Sequence, residues 1–311
     1  MALIKYFKTA NATRSALIQM HISVLLWGIT GVLGRSIDLS EGMLVWYRLL
    51  LTIITLTAYA FWTKRFYVPK RKALLQMGGV GILLTVHWLF FYGAIKYSNI
   101  SITLSMLASS ALLTSLIEWI FFKKPLKRSD LLLGGLAMAG IWIIFLNEKL
   151  YFTGIVLAMI AALLGAFFNI SNKPIVEKHD SVMVSLVEIF VGFMALSLFL
   201  PYYISYFDVA KLVPTTTDWV LLSILAFVCT HLTLILSLNA LRHLDAFTLN
   251  LSINLEPVYG IALAFLIFHE HELLTPRFYV GGALIFLSVL LHGYYQARAS
   301  AHTNKQLADS K

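Results

Sequence analysis

Two carboxylates and an arginine stand in this sequence where their neighbours are almost wholly apolar. Glu256 sits beside Pro257 in LNLSINLEPVYGIALAFLIF, Glu188 in SLVEIFVGF, and Arg48 in MLVWYRLLLTII. An ionisable group inside a run of about 20 apolar residues is costly in lipid, so by default it marks binding, proton transfer or an ion pair. Helical spacing ranks the residues around Glu256. Asn250 and Asn254 stand one turn apart with Pro257 extending their face, while Ser252, Glu256 and Tyr259 or Gly260 form a neighbouring stripe. Pro257 has no N–H to give, which frees a carbonyl near Ile253 and adds backbone polarity that an amine or water can use.

Further candidates lie on other apolar runs. His87 and Trp88 in one run and His231 in another combine a group that exchanges protons near neutral pH with a ring that attracts cations. Tyr47, Trp46 and Tyr92 extend this into an aromatic lining. A satisfied hydrogen bond between helices accounts for either histidine equally well. Ser110, Thr114 and Glu118 recur at four-residue spacing and make a polar stripe, with Glu118 close enough to Lys123 and Lys124 for an ion pair. His269-Glu270-His271-Glu272 looks like a metal motif, yet it lacks the spacing that sets two imidazoles on one helical face. The expectation there is a solvated turn, and no metal or other cofactor is assigned to the chain.

The elements that must position these groups follow from composition. The chain has 311 residues, 59% hydrophobic and 13% charged, with a mean hydropathy of +0.81. A soluble domain is nearer half apolar and a quarter charged, so this is an all-α integral membrane protein. Ten spans are expected, at about 15–35, 40–62, 73–94, 99–122, 130–147, 151–171, 181–205, 217–238, 245–268 and 276–296. The apolar run after the basic start has no small-x-small cleavage site, which favours an uncleaved first helix over a signal peptide. The lone cysteine, Cys229, lies within a span and excludes an internal disulfide.

Lysine and arginine set the orientation. With the start of the chain inside, only Arg35, Lys96, Lys149, Lys211 and Arg277 fall in outside segments, and Arg48 lies within a span. That bias predicts an N-in, C-in protein of the plasma membrane. It also accounts for the net charge of +9, since basic loops lie against anionic lipid, and nucleic acid is not needed as a partner. A homodimer is compatible with the sequence.

The chain is written twice. Aligning Ala94 with Ala240 sets Ile95-Lys96 on Leu241-Arg242, and Gly134-Gly135 falls on Gly281-Gly282 with one residue of slippage. The expected units are 1–150 and 151–297, followed by a tail at 298–311. Each unit holds five spans, and because five is odd the second enters the membrane upside down. Inverted halves of this kind build secondary carriers with a binding site at their interface. Arg48 and Glu188 then occupy matching places at mirrored depths, each about 5 Å from the midplane. They would form an ion pair, share a polar cavity, or snorkel to opposite interfaces. A membrane-embedded enzyme using His87, His231 and the acids is the competing class, but no phosphate loop, paired nucleophile or metal spacing supports it.

Several motifs, in order, carry a resemblance to a known family. They are LLWGITGVLGR, WYRLLLTIITL, WLFFYGAIKYSNISITLSML, LEPVYGIALAFLIFHEHELL and VGGALIFLSVLL. With these the chain resembles the drug/metabolite transporter superfamily, in particular its EamA-type ten-helix members, over nearly its whole length. The resemblance implies an inverted-repeat carrier without a prosthetic group that moves small metabolites, often amino-acid-like or amphipathic, outward. It also exposes departures. Where the family often has a proline in the fourth helix this chain has Ala111, and where it often has a glutamate in the next hairpin this chain has Lys124; the corresponding acid in the second half is Glu270 or Glu272. A more rigid first half is the expectation.

Overall fold

The computed structural model describes residues 2–123, 128–147, 151–244, 252–253 and 255–309. Among these no strand occurs. The helices are α1 (Ala2–Ser36), α2 (Glu41–Trp62), α3 (Arg71–Tyr97), α4 (Ile100–Leu107), α5 (Ser110–Phe122) and α6 (Arg128–Asn147), then α7 (Phe152–Val176) and α8 (Ser181–Tyr206). After α9 (Thr216–Ala226) a π-helical segment (Phe227–Leu232) leads into α10 (Thr233–His243). The chain ends with α11 (Glu256–Phe268) and α12 (Pro276–Asp309).

Among the described residues seven helical runs are long and apolar enough to cross a bilayer: Arg14–Ser36, Glu41–Trp62, Arg71–Tyr97, Ile100–Phe121, Phe152–Val176, Ser181–Tyr206 and Thr216–His243. Two shorter apolar helices, Leu132–Ile144 and Glu256–Phe268, stand where further spans are expected. Large apolar side chains such as Leu75, Leu132, Leu198 and Leu266 are exposed on the outside of the bundle, as a lipid-facing surface requires. Local signals set several helix starts. Asn99 Oδ1 accepts from Ile102 N–H at 2.8 Å to open α4, Asp180 Oδ1 accepts from Val182 N–H at 3.0 Å to open α8, and Thr215 with Asp218 forms a capping box for α9.

The sequence repeat reappears in backbone geometry. Tyr97 and His243 end helices at the interval that separates Ala94 from Ala240. At the same interval Ser110 and Glu256 begin helices and Phe122 and Phe268 end them, and Lys123 and His269 both close with a left-handed φ of 52°. The fourth span is thus interrupted at Ala108–Ser109, although Ala111 stands where a proline is common. Ser109 Oγ donates to Met106 O at 2.6 Å at that point, so a side-chain hydroxyl takes up backbone polarity where the helix is interrupted. The missing proline therefore does not make the fourth span continuous. Pro257 likewise opens α11, where its missing N–H costs no helical bond, and does not kink a continuous helix.

Helix pairings between the halves also come in matched sets. α3 packs on α7 as α1 packs on α10, α3 on α8 as α2 on α9, and α4 and α5 on α7 as α1 on α11. Close approach is allowed by glycine. A Cβ on Gly140 of α6 would fall 2.5 Å from Gly281 O of α12, and one on Gly281 would fall 2.6 Å from Gly140 O. A Cβ on Gly28 of α1 would lie 2.9 Å from Tyr259 Cβ and 3.2 Å from Gly260 N of α11.

The α6–α12 crossing yields a test by thermal unfolding of the purified protein. Gly281→Val forces the two backbones apart and should cost about 1–3 kcal/mol, seen as a lowered midpoint. Gly282→Ala, where a Cβ meets nothing within 4 Å, should not lower it.

Candidate functional site

A cavity of about 140 Å³ lies between the halves. Arg48 and Glu256 line it, with Trp27, His87, Trp88, Phe91, Phe168 and Asn169 among its walls. Ser110 and Glu256, which begin matching helices in the two halves, both border it. The lining residues Met20, Ser237 and Leu241 extend it toward the end of the bundle where α1 begins and α10 finishes.

Arg48 is the most constrained group in this region. Its side chain is 2% exposed, and its Nε donates to Thr230 Oγ1 and its Nη1 to Tyr92 Oη, each at 2.7 Å. The guanidinium also lies 3.7 Å above the Trp88 ring, a cation–π contact. Thr230 reaches it because the π segment re-registers the helix. Its hydroxyl donates to Leu225 O five residues back at 2.7 Å and keeps its lone pairs for Arg48. Among the described residues no ion pair joins Arg48 to Glu188 or Glu256, so the guanidinium is held by neutral acceptors and a ring.

Glu188 is fully buried but does not line the cavity. The reason is helix rotation. α8 turns Glu188 toward α3, where a Cβ on Gly81 would come within 2.1 Å of Glu188 O, and toward Asn172 of α7. Of the three arrangements the sequence left open, an ion pair with Arg48 and a shared cavity are absent among the described residues, and both side chains are buried rather than extended to an interface.

The other sequence candidates divide. His87 borders the cavity, with Nδ1 2.8 Å from Ala161 O and its ring stacked on Phe91. Trp88 is the plate beneath Arg48. His231, by contrast, packs edge-on against Tyr59 at 5.3 Å, off the cavity. Tyr47 donates to Leu212 O at 3.1 Å and meets Trp46 and Trp219 near the loop before α9. Tyr259 lies against Gly28 of α1. None of these three lines this cavity. Asn250 and Asn254 lie outside the described residues.

Glu270 corrects the reading of its hairpin as a solvated turn. It is 0% exposed and accepts from Arg35 Nη1, from Ile100 N–H at 3.0 Å, from Ser101 N–H at 2.8 Å and from Ser101 Oγ at 2.6 Å. A carboxylate from the last hairpin thus caps the first turn of α4 and pairs with α1, which locks the end of the bundle where α1 finishes. Glu270 stands at the repeat interval from Lys124, so of the two acids the resemblance allowed, it is the buried one. Arg35 also lies 4.8 Å over the Phe268 ring. At the same end Lys211 donates to Asp38 at 2.7 Å and to Asp218 at 3.1 Å, and the bond to Asp38 is the main reason its ammonium titrates above the ordinary lysine range. His269, His271 and Glu272 remain exposed and bring one donor atom each within 4.8 Å of one another, the one cluster of metal-ligating type among the described residues.

Long apolar helices enclose a small, mostly apolar cavity that carries an arginine and a glutamate, an arrangement suited to a membrane transport protein. The chain matches the EamA-like transporter family over residues 14–146 and again over 152–294, and it belongs to that family. It is therefore a membrane transporter of the drug/metabolite type, embedded in a lipid bilayer and acting on a small molecule. A solved crystal structure shares its fold, with a TM-score of 0.62 at 14% identity over 89% of this chain and 96% of the other. No curated protein matched.

The arginine cradle is testable by a double-mutant cycle. Arg48→Lys removes the Nε donor and the planar stack, and Thr230→Val leaves Nε unpaired; each should lower stability by about 1–3 kcal/mol. The double variant should lose clearly less than the summed effects, because both singles break one shared bond. Strict additivity in thermal unfolding would show that this bond contributes nothing.

Proposed function

We propose that this transporter is a secondary carrier that works by alternating access between two inverted halves, 1–150 and 151–297, with 298–311 as a cytoplasmic tail. In this reading ten helices span the plasma membrane with both ends of the chain inside, and the net direction is export. The observation that carries it is the cavity between the halves, which holds Arg48 and Glu256 while Glu270 locks one end of the bundle. The matched interruptions before Ser110 and Glu256 support the inversion, since broken helices facing each other are how such carriers build a site near the midplane.

The substrate this site suits is a small amphipathic compound, amino-acid-like in size. Its amine meets the Glu256 carboxyl, and its apolar part lies against Trp27, Phe91 and Phe168. Arg48 gives its Nε donor to Thr230 and one Nη1 donor to Tyr92 and stacks on Trp88, so it sets the polarity of one wall and leaves only its remaining N–H groups for a substrate. Release outward requires the Glu270 lock to open while the opposite end closes.

An untargeted comparison of metabolites inside and outside cells tests this, using wild type, Glu256→Gln and Arg48→Ala at equal membrane abundance. The expected result is one class of compound displaced outward by the wild type, with at least a tenfold loss in both variants, about 1.4 kcal/mol or more of transition-state binding. If all three strains displace the same compound equally, the site lies elsewhere. If a chemically altered metabolite appears and nothing is displaced, the protein is not acting as a carrier.

A further inference from the structure

Away from the cavity, between α7 and α8, lies a cluster that the carrier reading leaves unused. Glu188 and Asn172 are both 0% exposed, and Glu188 Oε1, Glu188 Oε2, Asn172 Oδ1 and Asn172 Nδ2 all lack a hydrogen-bond partner although the two side chains face each other. Ser185 Oγ, one turn earlier on the same face of α8, is likewise buried and unpartnered. Orphaned polar atoms of this number at one place are unusual in a folded interior.

Among the described residues no neighbouring charge neutralises the carboxylate. Arg48 on α2 is turned to Thr230 and Tyr92, and His87 on α3 to Ala161 O. Lys173 on α7 donates to Leu241 O and pairs with Glu177, and Arg242 on α10 donates to His179 O. The facing stretch of α3 brings Gly78, Gly81 and Thr85, and Thr85 Oγ1 donates to Gly81 O at 2.9 Å. An ionised carboxylate here would be buried without a counter-charge, and the amide oxygen of Asn172 would be left without a donor.

Adding one proton resolves all four atoms together. A carboxylic acid and a primary amide form a cyclic pair: the acid O–H donates to the amide oxygen, and the amide N–H donates to the other carboxyl oxygen. Either setting of the Asn172 amide serves, with a small side-chain rotation. We propose that Glu188 and Asn172 form a proton-binding pair, loaded when the α7–α8 interface is closed and unloaded when it opens to water, and that this pair supplies the carrier's coupling proton. Loading converts carboxylate and hydron to the acid, and unloading returns the same proton to water with no other bond made or broken. This rests on the carrier reading for its use in transport, whereas the proton site itself does not.

Infrared difference spectroscopy of the purified full chain in lipid, stepped in pH and repeated in heavy water, tests the site with the proton as its own probe. The expected result is a protonated-carboxyl carbonyl stretch that falls reversibly as pH rises and contains a Glu188 component, separated from those of Glu256 and the exposed acids by difference against Glu188→Gln. Glu188→Gln, which keeps a neutral hydrogen-bonding pair, should lose that component alone, and Asn172→Leu should move it to higher frequency by removing the N–H donor. A Glu188 component missing even at acid pH would overturn the proposal, because the carboxyl would then be permanently charged. A Glu188 band that never changes with pH would overturn it equally, because the acid would be structural. If the band titrates as expected while no compound is carried, the carrier reading falls and the proton site stands.

Discussion

A guanidinium buried in the middle of an apolar bundle governs how this structure is arranged. Arg48 cannot be left dry without partners, and among the described residues no carboxylate pairs with it. The chain meets this with neutral groups: a tyrosine hydroxyl from α3, a threonine hydroxyl offered by a π turn, and an indole face below. Each of these has a structural cost, the π turn above all, because it breaks the regular bonding of a membrane helix. The result is a wall of fixed positive charge along a cavity in which Glu256 is the opposing acid.

The second organising feature is the pairing of two interrupted helices. α5 and α11 have the same length, begin at matching places and end in the same left-handed cap. What differs between the halves is the residue just past that cap. In the second half Glu270 turns inward and caps α4 while binding Arg35, whereas the first half has Lys124 at the equivalent place. A lysine cannot accept from backbone N–H groups, so the two ends of the molecule are chemically unequal.

Much of this was legible in the sequence for simple reasons. Hydropathy marks the apolar spans, and an internal repeat is visible because both copies answer to the same packing. Arg48, Glu256, His87 and Trp88 emerged as cavity residues because polar or aromatic types stand out there. Rotation about each helix was not legible. In a membrane bundle both the lipid face and the protein face are apolar, so periodicity does not tell Tyr47, His231 and Tyr259, which pack, from residues that line the cavity. Glu188 stands out in the sequence by its charge, yet Asn172, buried near it, lies on another helix at no fixed sequence spacing. Glu270 was misread as solvated because its flanking His269, His271 and Glu272 are exposed, and only three-dimensional proximity brings α4 to the hairpin.

The central claim is that the cavity beside Arg48 is reached from one end while Glu270 closes the other, and the chain carries its own reporter. Cys229 is its single cysteine and lines that cavity. The measurement is the rate at which a membrane-impermeant methanethiosulfonate modifies Cys229 from each face of sealed vesicles, in wild type and in Glu270→Ala. The account predicts faster modification from the face where α1 begins, and a rise from the opposite face once Glu270 is removed. Equal rates from both faces that Glu270→Ala leaves unchanged would contradict it.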